Sequence, residues 1–77
     1  MREYPGLQAY LTYNVPLKRD RYWRVLRSGE IQVVKPGRFM GLGWEPVVRL
    51  YPEPAYQNYD DVVLMCSKAA RTNGVAE

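Results

Sequence analysis

The C-terminal part of the sequence has the period of an amphipathic helix, and this segment constrains the fold most. From residue 59 to residue 72 the apolar side chains recur at helical spacing within an arc of about 120°, and the polar side chains lie opposite. Asn58 can cap the first turn, and Asn73-Gly74 suits a left-handed end. A helix with one apolar stripe has to bury it against a second layer, so residues 1–58 must supply that layer.

Two separate segments have the pattern of single strands. Apolar and polar residues alternate over residues 7–15, which predicts a strand with one buried face that ends before Pro16. Residues 47–51 predict a second, short strand, and Pro52 stops it because proline has no amide hydrogen for a ladder.

A hairpin is predicted between these two strands. Residues 21–27 and 30–35 are rich in aromatic and β-branched side chains, and the Ser-Gly pair between them suits a two-residue turn. A two-residue turn would place Leu26 opposite Ile31. A helix over residues 16–28 is the alternative, although its apolar positions spread around a wide arc instead of forming one stripe.

These elements predict an α+β fold in a single domain that covers residues 1–77. The expected architecture is a small antiparallel sheet of three to four strands packed on one C-terminal helix, at about residues 59–72. Hydrophobic residues make up 47% of the chain, and this is more than a disordered chain contains, so we expect a packed core.

The residue types that are rare or missing exclude several classes of protein. Cys66 is the single cysteine, so the chain can form no internal disulfide, and we expect a reducing, cytoplasmic environment. The sequence has no histidine, the commonest general base and metal ligand. No apolar run approaches the roughly 18 residues that a membrane-spanning helix needs.

Positive charge is concentrated in the first half of the chain. Residues 1–38 carry a net charge of +5 and residues 39–77 carry −2. The basic side chains cluster beside two rings, Tyr22 and Trp23, and they are Lys18, Arg19, Arg21, Arg24 and Arg27. Cations beside rings are typical of nucleic-acid contacts, whereas the alternative is an ordinary solvated strand face. Strand alternation would place Arg24 with Tyr22 on one face, and Arg21 and Arg27 with Trp23 on the other.

Two further segments carry candidate contacts for a partner. Residues 36–46 predict a glycine-rich loop that presents Phe39, Met40, Leu42 and Trp44, because aromatic and methionine side chains are typical interface anchors. Arg38 of the same loop is a further candidate contact. Trp44, at the end of this loop, is expected in the core or at its margin. Leu64 and Lys68 lie on the polar side of the predicted helix and form a second candidate patch.

We expect no catalytic residue, cofactor or metal site. Asp60 and Asp61 are adjacent, but neighbours on a helix point about 100° apart, and both suit the positive end of the helix dipole. Cys66 lies on the apolar stripe, where a thiol packs as a small hydrophobic group.

A chain of fewer than 100 residues with a few antiparallel strands and one helix resembles small phage-encoded inhibitor proteins, including anti-CRISPRs and host-takeover factors. The resemblance is one of size and format over the whole chain and transfers no functional residue. It implies a non-enzymatic protein, a stoichiometric inhibitor or adaptor, that occludes a surface of a larger bacterial protein complex. Direct nucleic-acid binding is the alternative function, no membrane partner is expected, and an edge strand at residues 7–15 would allow a homodimer. The predicted partner-binding residues are Arg19, Arg21, Tyr22, Arg24, Arg27, Arg38, Phe39, Met40, Leu64 and Lys68.

Overall fold

A computed structural model describes residues 4–37 and 43–77. Its elements, in chain order, are α1 (Leu7–Asn14), β1 (Tyr22–Val25), β2 (Ile31–Pro36), β3 (Trp44–Leu50) and α2 (Tyr59–Thr72). The three strands form one antiparallel sheet in the order β1-β2-β3. The predicted α+β class is therefore confirmed, with three strands and with one helix more than the sequence indicated.

The C-terminal helix α2 has the predicted bounds and ends. The Asn58 side chain accepts a hydrogen bond from the amide of Asp61 at 3.0 Å, so it caps the first turn. Gly74, just beyond the helix, has a φ of 70°, which a glycine adopts without strain. The buried side chains recur every four residues, as the amphipathic pattern requires, and they are Val62, Cys66 and Ala70.

The prediction of a strand over residues 7–15 is wrong, because Leu7–Asn14 is the helix α1. Leu7, Leu11 and Val15 are buried, whereas Tyr13 is 87% exposed. A spacing of four is also a multiple of two, so these three apolar residues fit both a helix stripe and a strand face. A strand would bury Tyr13 on the same face as these residues, so its exposure shows that the segment follows the helical spacing. The edge strand at residues 7–15, on which the expected homodimer depended, therefore does not exist.

The predicted hairpin forms between β1 and β2, but its register differs by one residue from the prediction. Val25, not Leu26, lies opposite Ile31. The Gly29 amide donates to the Leu26 carbonyl at 3.0 Å and the Leu26 amide donates to the Glu30 carbonyl at 2.9 Å. Gly29 has a φ of 94°, so the turn takes three residues, with a left-handed glycine at the third. The alternative helix over residues 16–28 is also excluded.

Both helices contribute to a core that covers one face of the sheet. Ile31 and Val33 of the central strand β2 are fully buried in this core, beside the apolar stripes of α1 and α2. Trp23 of β1 joins them, and its indole Nε1 donates to the Val15 carbonyl at 2.9 Å. This bond satisfies the polar atom of a buried ring and fixes the end of α1 against the sheet.

Within the described residues, neither helix combines the length and the apolar character that crossing a membrane requires.

We predict that Leu11→Ala and Tyr13→Ala have very different effects on stability. A strand would place both side chains on the same face, whereas α1 buries Leu11 and exposes Tyr13. Leu11→Ala should lower the free energy of unfolding by about 2–5 kcal/mol, and Tyr13→Ala should change it by less than about 0.5 kcal/mol. Urea denaturation followed by circular dichroism measures both values. Similar losses for the two variants would contradict the helix.

Candidate binding surface

The face of the sheet that points away from the helices carries rings and guanidinium groups. Strand alternation turns Trp23 into the core and Tyr22 and Arg24 to the opposite side. Cross-strand partners share a face, and the register places Arg24 beside Gln32 and Gln32 beside Arg49. We call this surface the open face, and its members are Tyr22, Arg24, Gln32, Val34, Trp44 and Arg49.

An aromatic pair bridges the two edge strands at one end of the open face. The Tyr22 and Trp44 ring centroids are 5.4 Å apart with an interplanar angle of 76°, an edge-to-face contact. The two side chains are 49% and 54% exposed, respectively, yet Val34 between them on β2 is buried. The rings therefore cover the central strand where no helix does, and their outer surfaces remain accessible to a partner.

A hydrogen-bonded polar centre, formed by Glu30, Gln32 and Arg49, lies at the other end of the open face. The Arg49 Nε donates to Glu30 Oε1 at 2.7 Å, and the Gln32 Nε2 donates to Glu30 Oε2 at 3.0 Å. Glu30 and Gln32 are only 4% and 5% exposed. An ionised carboxylate can only accept hydrogen bonds, so the Gln32 amide must turn its nitrogen toward Glu30 and its oxygen away from it. Gln32 Oε1 is then a buried acceptor without a hydrogen-bond partner within the described part of the chain.

The polar centre keeps Glu30 ionised. The hydrogen bond from Arg49 lowers the pKa of Glu30, and burial only partly opposes this effect. The same hydrogen bond raises the pKa of Arg49. Arg49 is therefore held in place by a charged partner, while its side chain remains 68% exposed.

Five cations lie within ten positions of the chain, in β1 and in the segments on either side of it. We call this row the basic strip, and its members are Lys18, Arg19, Arg21, Arg24 and Arg27. Arg21 is half-buried and the others are exposed. Because β1 covers only Tyr22–Val25, Arg21 and Arg27 lie in the flanking loops, and the predicted division of the cations between two strand faces does not apply to them.

The other predicted contacts lie elsewhere or outside the described residues. Leu64 is 67% exposed and Lys68 is exposed, and both belong to α2 on the opposite side of the sheet from the open face. Arg38, Phe39 and Met40 lie outside the described residues. The structure thus brings Tyr22 and Arg24 together with the flanking cations, and it separates them from the α2 patch.

Sequence reasoning missed most of the open face. Trp44 is part of β3 and lies away from the core, contrary to the prediction that placed it in the core or at its margin. Glu30, Gln32 and Arg49 were not among the predicted contacts. Only the cross-strand register shows that these three residues are neighbours, and the register cannot be read from the sequence unless the length of the hairpin loop is known.

Cys66, one of the groups considered for catalysis, lies in an unreactive setting. Cys66 is fully buried, and burial raises the pKa of its thiol to about 12, so little thiolate forms at neutral pH. Among the described residues, no three His, Cys, Asp or Glu side chains are grouped so that they could hold a metal ion. A cavity of about 760 Å³ is an open groove lined mainly by Tyr4, Tyr51, Tyr56 and two prolines.

Comparison of the chain with models of protein families, with curated proteins and with solved structures found no match.

We predict that Glu30→Gln changes how stability depends on pH. Because the folded-state pKa of Glu30 is below its unfolded value, its carboxylate stabilises the fold above the unfolded pKa, and this contribution is lost as pH falls through the folded pKa. The variant should therefore be less stable than the wild type at pH 7, and the difference should shrink toward pH 3. Urea denaturation across this pH range measures it.

Glu53→Gln is the matched control, because it removes the same charge from an exposed loop position. It should change the free energy of unfolding at pH 7 by less than about 0.5 kcal/mol. A Glu30→Gln protein as stable as this control at pH 7 would contradict the role of the polar centre.

Proposed function

We propose that the protein is a non-enzymatic binding protein that occludes a surface of a larger protein complex through its open face. The observation that supports this most is the pair of half-exposed rings, Tyr22 and Trp44, flanked by Arg24 and Arg49. Tryptophan, tyrosine and arginine are the residues that contribute most binding energy at protein interfaces.

The rigidity of the open face supports the same function. Each ring packs against the other, and Arg49 is bonded to a buried carboxylate, so these side chains have already lost much of their rotamer freedom. Immobilising a long side chain on binding costs about 0.5–1.5 kcal/mol, and a preorganised surface avoids part of that cost.

The charge of the open face favours a protein over a polyphosphate at this surface. Glu30 neutralises one of the two guanidinium groups, so Arg24, Arg49 and Glu30 together leave a charge of +1. Phosphate binding depends on several uncompensated cations, whereas an interface centre combines rings with paired charges.

The size of the molecule is compatible with a stoichiometric inhibitor or adaptor. A typical interface covers about 800 Å² on each partner, which is about one seventh of the 5520 Å² surface of this chain. One partner on the open face would thus cover a large fraction of the sheet. The small α+β format supports a protein of the phage-encoded inhibitor type, acting on a bacterial complex in the cytoplasm.

The test is capture of a partner from bacterial extract with a panel of tagged variants. The wild-type protein should retain one complex in a one-to-one ratio, and Trp44→Ala should weaken its binding about 30-fold or more, as expected for an interface hot spot. Tyr13→Ala on α1 and Leu64→Ala on α2 are matched truncations of exposed apolar side chains on the helix layer.

Both control variants should bind as the wild type does, with affinities measured by calorimetry on the purified partner. Loss of binding with Leu64→Ala but not with Trp44→Ala would place the interface on α2 and refute the open face as the contact. Failure of the wild-type protein to retain any partner at stoichiometric ratio would also refute the proposal.

A further inference from the structure

The basic strip concentrates five cations within ten positions of the chain. None of them has an acidic partner among the described residues, and in this they resemble Lys68 and Arg71 of α2 but not Lys35 and Arg49. The Lys35 Nζ lies 3.9 Å from Glu45 Oε2, and the Arg49 Nε lies 2.7 Å from Glu30 Oε1. No acidic side chain within residues 4–37 and 43–77 approaches any of the five strip cations to within 4.0 Å. Asp20 is the one acidic residue among residues 18–27. Its backbone carbonyl, not its carboxylate, accepts a hydrogen bond from Arg21 Nη1 at 3.0 Å.

The position of the strip determines how it can meet a ligand. β1 is an edge strand about 10 Å long. The outer cations of the strip lie in the loops on either side of it. The amide of Val25 already donates to the Gln8 Oε1 of α1 at 3.3 Å. An added strand would need this donor, so a ligand contacts the side chains of the strip rather than extending the sheet.

An aromatic ring, Tyr22, lies among the cations of the basic strip. Tyr22 precedes Arg24 by two residues, so both side chains project from the same face of β1, and the tyrosine ring is 49% exposed. Half-exposed rings beside a row of cations stack on unpaired bases while the cations pair with phosphates. A duplex keeps its bases stacked internally and offers no free base face to such a ring.

We propose that the basic strip binds single-stranded nucleic acid, with phosphates at the cations and a base on Tyr22. Charge complementarity supports the inference, because a polyanion supplies the negative charges that the described part of the chain does not provide to these five side chains. The inference goes beyond binding of a protein at the open face. It shares Tyr22 and Arg24 with that face, but Lys18, Arg19, Arg21 and Arg27 lie outside it, and Trp44 and Arg49 take no part in it.

The test is fluorescence anisotropy of a labelled 20-nucleotide oligo(dT) titrated with the full chain at 25 to 200 mM NaCl. Each neutralised phosphate contributes about −0.7 to the slope of log K against log salt, so three to five contacts predict a slope of about −2 to −3.5. The affinity should then fall about 15-fold to 130-fold between 50 and 200 mM NaCl. A duplex of equal length should bind more weakly than oligo(dT) at every salt concentration.

Two pairs of variants separate local contacts from net charge. Arg19→Ala/Arg24→Ala should make the slope shallower by about 1.4, whereas Lys68→Ala/Arg71→Ala removes the same charge from α2 and should leave the slope unchanged. Tyr22→Ala should weaken binding about fivefold or more at an unchanged slope, and Tyr13→Ala should have no effect. Circular dichroism confirms that each variant is folded.

Three results would overturn the inference. They are the absence of oligo(dT) binding at 25 mM NaCl, an equal change of slope in the two double variants, and duplex binding as tight as oligo(dT) binding with no effect of Tyr22→Ala. Protein capture by the open face is scored separately with Trp44→Ala, so failure of one proposal leaves the other to its own test.

Discussion

The packing of both helices against one face of the sheet is the interaction on which the rest of the structure depends. Leu7 and Leu11 of α1 and Val62 of α2 meet Ile31 and Val33 of the central strand in one cluster of fully buried side chains. Burying side chains of this size contributes about 1.5–3 kcal/mol each, more than any exposed contact in the chain can supply. Because this cluster takes one side of every strand, alternation sends the remaining side chains to the other side, and the open face follows from the core.

An open face without a helix still has to shield the central strand of the sheet from water. Here long side chains on the two edge strands do so, since Tyr22 and Trp44 lie over Val34 and Arg49 holds the carboxylate of Glu30. The same contacts that bury β2 also fix rings and a guanidinium group in place. A surface held in place in this way has less rotamer freedom to lose on binding, so under the proposed function stability and recognition would depend on the same residues.

The sequence predicts those parts of the fold whose signals are local. The α2 helix combines an apolar stripe, an Asn58 cap and a glycine end, and all three appear in the structure. The α1 helix was mistaken for a strand because Leu7, Leu11 and Val15 fit both periods, and only tertiary packing separates them. On the open face, Tyr22 and Arg24 were predicted from the basic cluster. The contact of Trp44 with Tyr22 was not predicted, because it spans three strands and depends on a hairpin register that one extra loop residue shifts.

Acrylamide quenching of tryptophan fluorescence tests the one-sided sheet most directly, since the two tryptophans of the chain lie on opposite faces of it. Trp44→Phe leaves Trp23 as the sole emitter, and Trp23 is buried against α1 with its indole bonded to Val15. The account predicts that this variant emits at shorter wavelength than the wild type and is quenched far less. If Trp44→Phe were quenched as strongly as the wild-type protein, Trp23 would be accessible to solvent. The helices would then not cover the face of the sheet that carries Trp23, and the account would be contradicted.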